Sequence, residues 1–161
     1  MMMKQINSIF LSYYVIDKLQ SVSQLKLQKL LYYIEAWHLV YFENELITDN
    51  FEAWVHGPVS TKIYHHFKQT SKLYASMRLK DMSRGKYIEK IKEELDPAQI
   101  ELINDVLEEY GDKTDYHLEQ LTHMELPWQD ARGECKHDNP CNNIISKEVI
   151  KTYYASKLLH V

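Results

Sequence analysis

Apolar residues recur every three or four positions along most of the chain, and this spacing places side chains on one face of an α-helix. The clearest run covers residues 25–41, and Ser21 and Gln24 precede it at the spacing of a capping box. Its apolar seam consists of Leu27, Leu30, Leu31, Ile34, Trp37, His38 and Tyr41. We predict a central core helix here, with an amphipathic helix over residues 4–20 packed on it.

The helical period then fades, and strand-forming residues take its place. Residues 45–48 and 51–55 form two short runs of this kind, separated by the turn-forming residues Asp49 and Asn50. The pattern therefore predicts a short β-hairpin near residues 44–55.

Gly57 and Pro58 follow the predicted hairpin and indicate a change of direction. Glycine adopts backbone conformations closed to other residues, and proline favours the first position of a helix. We therefore predict that Gly57 lies in an exposed turn and that Pro58 begins a helix. The buried stripe of this helix consists of Val59, Ile63 and Phe67, which leaves Lys62 on the solvent side.

The second half of the chain contains three clear helix starts. Asp96, Thr114 and Ser146 each precede an apolar repeat of helical spacing and carry a side chain that caps helices. Residues 71–95 indicate no element firmly. Because no repeat or flexible linker divides the sequence, we predict one compact, mainly α-helical domain over residues 1–161, with the hairpin as a short insertion.

Composition and charge narrow the classes of function. Of the 161 residues, 45% are hydrophobic, which is typical of a globular protein, and 23 acidic against 19 basic residues give a formal charge of -4. This charge does not favour binding to nucleic acid or to an anionic membrane. The sequence also lacks an apolar run of about 20 residues and a signal-peptide pattern. We expect a cytoplasmic protein that does not cross a membrane.

The possible metal ligands Cys135, His137 and Cys141 lie in one predicted loop, with His117 and His123 nearby in sequence. Structural zinc sites usually pair ligands two to four residues apart at both ends, and the two cysteines are spaced more widely than that. We therefore predict reduced thiols and no metal or other cofactor. A metal-dependent enzyme built on these three residues remains an alternative.

No recognisable catalytic motif is present. The sequence has no Gly-x-Ser-x-Gly elbow, no His-Glu-x-x-His pair and no glycine loop that would cradle phosphate. His38, His65 and His66 are candidates for a general base, but each lacks an evident nucleophile or substrate group beside it. We predict that the protein is not an enzyme.

An aromatic strand end, a tight turn and a helix start form both a stable core corner and a recognition edge. Core packing is the favoured interpretation for Trp54, and recognition is the favoured one for His56 and Gly57. The same two interpretations apply to Trp128. The residues predicted to contact a partner are Trp54, His56, Gly57, Pro58, Lys62 and Trp128.

A helix-turn-helix motif that presents Lys26 and Lys29 to DNA is a further interpretation. It requires a turn of three or four residues, whereas about 16 residues separate Tyr41 from Pro58. The sequence therefore argues against this motif.

Several separated segments carry a family resemblance. They are LQKLLYY at 27–33, WHL at 37–39, EAWVHGPV at 52–59, LTH with the following Glu and Pro-Trp within 121–128, and the closing segment 150–154. Together they resemble the Panacea domain of SocA-like antitoxins, which also occurs in phage-associated proteins. The resemblance covers roughly residues 23–154 and is silent over 71–95.

This resemblance implies a non-enzymatic protein that neutralises a cognate toxin, encoded nearby, by direct binding. One branch of the family acts instead as an adaptor that delivers its toxin to a cytosolic AAA+ protease. Because members pair with very different toxins, the resemblance does not identify the partner. The alternative function is a nucleic-acid-binding regulator of a phage or mobile-element operon.

Overall fold

The structure is a computed structural model that describes residues 3–136 and 138–158. It is mainly α-helical with two small two-stranded sheets, which confirms the predicted fold class. The elements are α1 (Ser8–Leu19), β1 (Val22–Ser23), α2 (Gln24–Phe42), β2 (Glu52–Trp54), β3 (Gly57–Val59), α3 (Thr61–Phe67), β4 (Ser76–Met77), a 3-10 turn (Asp81–Ser83), α4 (Lys86–Glu94), α5 (Pro97–Tyr110), α6 (Asp115–His123), α7 (Leu126–Arg132) and α8 (Lys147–Leu158).

Helix α2 is the central core helix, as predicted. It packs against α1, α3, α5, α6 and α8, and side chains on every side of its first four turns are buried. Its C-terminal end extends beyond the core, so Trp37 is only half-buried and Tyr41 is 56% exposed. The predicted seam is therefore wrong at Tyr41, because the neighbouring helices do not cover that end.

The starts of α1 and α2 differ from the prediction. Helix α1 begins at Ser8 instead of residue 4, and the Asn7 side chain caps it by accepting a hydrogen bond from the amide of Ile9 at 2.8 Å. Helix α2 is capped by Ser23 instead of Ser21. The reason is that Ser23 lies directly before the first helical residue, where its hydroxyl oxygen reaches the third amide of the helix.

The other predicted caps are confirmed. Asp96 and Gln99 form a capping box at the start of α5, which also has Pro97 in its first turn. The Thr114 hydroxyl accepts a hydrogen bond at the start of α6, and the Ser146 hydroxyl does so before α8. In each case the capping side chain lies next to the first helical residue, so local sequence is enough to predict it.

The hairpin exists, but it lies further along the chain than predicted. Strands β2 and β3 pair with Trp54 opposite Gly57, and residues 45–48 form no strand. Instead, the amides of Leu46 and Ile47 donate hydrogen bonds to the buried carboxylate of Glu35 at 2.8 and 3.2 Å. The Glu35 side chain therefore accepts the hydrogen bonds that a neighbouring strand would accept if these residues formed a sheet.

Pro58 lies in strand β3, so the prediction that it begins a helix was wrong. It stands opposite Ala53, whose amide donates a hydrogen bond to the carbonyl of Asn143 on the other side of β2. This position requires no amide from residue 58, so proline fits the strand. Helix α3 begins three residues later and is capped by Ser60.

The segment 71–95, which the sequence left unassigned, contains β4 and α4. Strand β4 pairs with β1. The amides of Gly85, Tyr87 and Ile88 at the start of α4 all donate hydrogen bonds to the carboxylate of Asp17. A side chain of α1 thus stabilises a helix end that has no side-chain cap of its own.

A disulfide joins Cys135 to Cys141, so the prediction of two reduced thiols was wrong. The sequence spacing alone does not show that the loop folds back and brings these two residues together. His137, the third residue of the proposed metal site, lies outside the described residues. Among the described residues, no group of three side chains is placed to hold a metal ion, and no helix has the length and hydropathy to cross a membrane.

Candidate functional site

The turn of the hairpin depends on Gly57. Neither Val55 nor His56, the two loop residues, has a positive φ angle, whereas Gly57 has a φ of +104°. Glycine adopts a positive φ angle at little steric cost, so it suits the position directly after this two-residue loop. The turn therefore fixes how His56 projects from the molecule.

Gly57 is buried, contrary to the prediction that it lies in an exposed turn. A Cβ atom at this position would lie 2.5 Å from Cε of Lys29 and 2.7 Å from Oγ1 of Thr122. Helices α2 and α6 thus cover the turn from below. The close contact requires glycine for reasons of space as well as conformation.

Lys29 is fully buried beneath the turn, and its Nζ donates a hydrogen bond to the carbonyl oxygen of Pro58 at 2.9 Å. Burial lowers the pKa of Lys29 to about 7, although the carboxylates of Glu119 and Asp115 favour the charged form. Because its amine faces the interior, Lys29 is unable to contact DNA as the helix-turn-helix interpretation requires.

Gln28, the neighbour of Lys29 on α2, holds the residue that caps α3. Its Oε1 accepts a hydrogen bond from the amide of Ser60 at 2.9 Å, and its Nε2 donates to the carbonyl of Ser60 at 3.1 Å. One side-chain amide therefore satisfies both backbone groups of Ser60. Together, Gln28 and Lys29 attach the second strand of the hairpin to the central helix.

The first strand is held by α7. Nε1 of Trp128 donates a hydrogen bond to the carbonyl of Trp54 at 2.8 Å, and Nη1 of Arg132 donates to the carbonyl of Ala53 at 2.9 Å. Trp128 is only 4% exposed. Trp128 therefore supports the hairpin from behind. Little of its side-chain surface is accessible to a partner in the free protein.

The outer side of the hairpin carries accessible aromatic rings, one of which contacts a carboxylate of α6. The side chain of His56 is 42% exposed, its Nδ1 lies 2.5 Å from Oε1 of Glu119, and its ring meets that of Tyr74 edge-on at 6.1 Å. The Trp54 ring is half-buried against Tyr64 at 5.0 Å. Charged and aromatic groups therefore lie side by side at this turn.

A groove of about 780 Å³ separates the turn from the disulfide loop. Trp54, Val55 and His56 line one wall, and residues 138–142 contribute to the other. We call the exposed faces of Trp54, Val55, His56 and Tyr74, together with this groove, the hairpin surface. Lys62 is exposed on α3, and in the described part of the chain no hydrogen bond or ion pair ties its side chain to this surface.

Comparison with known proteins identifies the family of the chain. A family model described as "Antitoxin SocA-like, Panacea domain" matches residues 27–129. The chain belongs to this antitoxin family. No curated protein and no solved structure matches the chain.

The matched Panacea region includes most of the parts that build the hairpin surface. It contains α2 from Leu27, both strands, α6 and Trp128. Arg132 and the disulfide loop lie beyond it. The Panacea region thus holds the hairpin and its supports on α2 and α6, while the far wall of the groove comes from residues outside the match.

A second polar cluster joins three helices behind the hairpin. Oε1 of Glu125 accepts hydrogen bonds from the hydroxyls of Tyr33 and Tyr154, each at 2.7 Å. Burial raises the pKa values of Glu125 and of both tyrosines. These contacts tie the start of α7 to α2 and α8, so the cluster has a structural role.

Sequence reasoning did not identify Gln28, Lys29, Glu119 or Arg132 as part of this site. For Gln28 and Lys29 a signal existed, because polar residues on a helix buried on all sides require internal partners. Glu119 and Arg132 gave no such signal, since the groups they contact lie 63 and 79 residues away in sequence.

Proposed function

We propose that this protein is a cytoplasmic antitoxin that neutralises a cognate toxin by direct binding through the hairpin surface. Membership of the SocA-like antitoxin family supports a toxin as the partner. We choose this surface because Trp54 and His56 are accessible at the turn, while hydrogen bonds from α2 and α7 hold the hairpin from behind.

The rigidity of the hairpin favours binding. The carbonyls of Ala53, Trp54 and Pro58 each accept a hydrogen bond from a side chain of a surrounding helix. A surface that is ordered before binding loses little conformational entropy when a partner docks. Trp54 and Tyr74 provide aromatic contact area of the kind that often dominates binding energy.

The polar interior supports a role without catalysis. Lys29, Glu35 and Glu125 have shifted pKa values, a property also found in active sites. Here each of these groups is engaged in hydrogen bonds that join elements of the fold. Their shifts are therefore explained by burial within structural contacts.

Co-expression with the toxin encoded beside this chain tests the proposal. We expect the wild type to restore growth, and Trp54→Ala with His56→Ala to abolish the rescue while the purified variant keeps a cooperative thermal transition. Glu108→Ala, an exposed change on α5, is the control and should rescue fully. Lys62→Ala shows whether the surface extends to α3. Full rescue by the double variant would rule out the hairpin surface.

Calorimetry with purified toxin measures the contact directly. We expect the double variant to weaken binding at least tenfold, which corresponds to about 1.4 kcal/mol. Because Cys141 lines the groove and disulfides are rare in the cytoplasm, the titration should be performed with and without a reducing agent. Binding under both conditions is expected if Trp54 and His56 supply most of the affinity.

Direct occlusion and delivery to a AAA+ protease lead to different toxin levels. Occlusion leaves the amount of toxin unchanged and persists in cells that lack the protease. Delivery lowers the amount of toxin and requires the protease. Immunoblots of the co-expression cultures in both backgrounds therefore separate the two mechanisms.

The alternative of a nucleic-acid-binding regulator has less support. Lys29 is buried, and the formal charge of -4 does not favour phosphate contacts. Binding to upstream DNA that weakens steeply as salt increases would support the alternative and count against the antitoxin proposal.

A further inference from the structure

A second concave surface lies on the opposite half of α2, away from Gln28 and Lys29. The last turns of α2 and the outer side of α5 enclose an open groove of about 730 Å³. We call it the acidic groove, because its apolar floor is bordered by three carboxylates, Glu101, Asp105 and Glu109.

The floor and one wall of the acidic groove are apolar. Leu102 and Val106 lie one turn apart on α5, and Trp37 faces them from α2 with its Nε1 donating to the hydroxyl of Tyr110 at 3.2 Å. The ring of Tyr41 lies 6.0 Å from that of Trp37 and is 56% exposed. An exposed aromatic ring beside an apolar floor is typical of a recognition surface.

The carboxylates form a regular row along α5. They are four residues apart, so they lie on one side of the helix at intervals of about 6 Å. All three are exposed, and none has an ion-pair partner within residues 3–136 and 138–158. Helix α5 contains no lysine or arginine, so its own sequence provides no compensating charge.

We propose that the acidic groove binds a cationic amphipathic helix of a partner protein. Lysine or arginine residues at positions i, i+4 and i+8 of such a helix repeat at the same interval as the three carboxylates. Its apolar face would cover the accessible parts of the Trp37 and Tyr41 rings. A second copy of this chain fits less well, because two copies each carry a formal charge of -4.

The two parts of the acidic groove have different energetic roles. The exposed carboxylates attract the partner and orient it, and salt screens this attraction. The rings of Trp37 and Tyr41, which stay accessible beside the nearly buried Leu102 and Val106, supply most of the affinity, because covering them removes hydrocarbon surface from water. This inference does not depend on the hairpin surface or on the proposed toxin contact.

Fluorescence anisotropy with a labelled peptide tests the inference. The probe is a helix of about 15 residues, or four turns, with lysines at i, i+4 and i+8 and leucines on the adjoining face. One control peptide replaces the lysines with glutamates, and another has a central proline that breaks the helix. We expect saturable, salt-sensitive binding of the cationic helix and a loss of at least about tenfold for both controls.

Two matched variants of the protein locate the contact. Asp105→Lys reverses a charge in the row, and Glu108→Lys makes the same change on α5 outside the groove. We expect Asp105→Lys to weaken peptide binding about tenfold and Glu108→Lys to change it less than about twofold, because charge pairs act over short distances in salt. His56→Ala, on the hairpin surface, should leave peptide binding unchanged.

Several results would overturn the inference. These are failure of the cationic peptide to saturate the protein, equal binding of the glutamate or proline peptide, and equal effects of Asp105→Lys and Glu108→Lys. A dimer in sedimentation that Asp105→Lys dissociates would show that a second copy occupies the groove and would also overturn the proposal.

Discussion

The hairpin surface and the acidic groove use the two ends of the same helix in different ways. At the N-terminal half of α2, Gln28 and Lys29 are buried and satisfy the backbone of Pro58 and Ser60. At the C-terminal half, aromatic side chains reach solvent, and the carboxylates of α5 beside them have no ion-pair partner in the described ranges. Buried polar contacts fix the shape of the first region, whereas the second keeps its charges available.

This difference separates stability from binding. Removing a buried partner leaves another polar group unsatisfied, which costs about 1–3 kcal/mol. Changing an exposed, unpaired charge alters stability by only about 0.5 kcal/mol or less. Substitutions beneath the hairpin should therefore lower the free energy of unfolding, and substitutions in the acidic groove should not.

Gly57→Ala should have the largest effect. A positive φ angle destabilises alanine by about 1–2 kcal/mol relative to glycine. The clash of its Cβ atom with Lys29 and Thr122 lowers the stability by about 1–3 kcal/mol more. We expect a total loss of about 3 kcal/mol in the free energy of unfolding, measured by urea denaturation.

Gly85→Ala is the matched control for Gly57→Ala. Gly85 also has a positive φ, +81°, but a Cβ atom there would meet nothing within 4 Å. The control should therefore lose only the conformational part, about 1–2 kcal/mol. Equal losses in the free energy of unfolding for the two variants would show that contact with Lys29 and Thr122 does not restrict the side chain at position 57.

Lys29→Met should have the next largest effect, and the effect should depend on pH. Methionine fills similar space but leaves the Pro58 carbonyl without its donor, so we expect a loss of about 2 kcal/mol near pH 9. The folded-state pKa of Lys29 is about 7, below the ordinary value of 10.5. Between these values the unfolded chain binds more protons, so wild-type stability rises with pH through this window.

The difference in unfolding free energy between the wild type and Lys29→Met should therefore grow from pH 7 to pH 10, by at most about 1.4 kcal/mol per pH unit. Lys26→Met controls for the loss of a positive charge, because Lys26 is on the same helix and is partly exposed. A difference that stays constant with pH would mean that the Lys29 amine is not desolvated.

Trp128→Phe should have a smaller effect, because it removes one hydrogen bond, from Nε1 to the carbonyl of Trp54, and keeps an aromatic ring in place. We expect a loss of about 1 kcal/mol in thermal or urea unfolding. Rescue from the toxin at a permissive temperature should be largely retained, since Trp128 supports the hairpin from behind. Complete loss of rescue by a stably folded variant would show that Trp128 contacts the toxin.

Local signals explain which parts of the fold were predictable from sequence. Asp96, Thr114 and Ser146 act on residues within one helical turn, and their helices were predicted correctly. The hairpin lies further along the chain than predicted. The reason is that the Glu35 carboxylate of α2 accepts hydrogen bonds from the amides of residues 46 and 47, which were predicted to form a strand. That contact depends on how α2 packs and has no local pattern.

The candidate site shows the same division. His56 was identified from its turn and is accessible in the structure. The burial of Gly57 was not foreseen, because it depends on Lys29 of α2 and Thr122 of α6. For Trp128 the sequence left core packing and recognition open, and the structure buries it behind the hairpin. The sequence analysis did not single out the carboxylate row on α5. The four-residue spacing is visible in the sequence, but the lack of ion-pair partners among the described residues and the position beside Tyr41 depend on the packing of α2 against α5.

Tyr41→Ala should have the smallest effect on stability and a clear effect on binding. The ring is 56% exposed and lies at the end of α2, so its loss should lower the free energy of unfolding by about 0.5 kcal/mol or less. Alanine also favours the helix more than tyrosine does, which offsets part of the lost contact with Trp37. The cationic peptide should nevertheless bind several-fold more weakly, because the ring forms a wall of the acidic groove. If Tyr41→Ala instead destabilises the protein as much as Lys29→Met does, the ring is part of the core, and the contrast between the two ends of α2 fails.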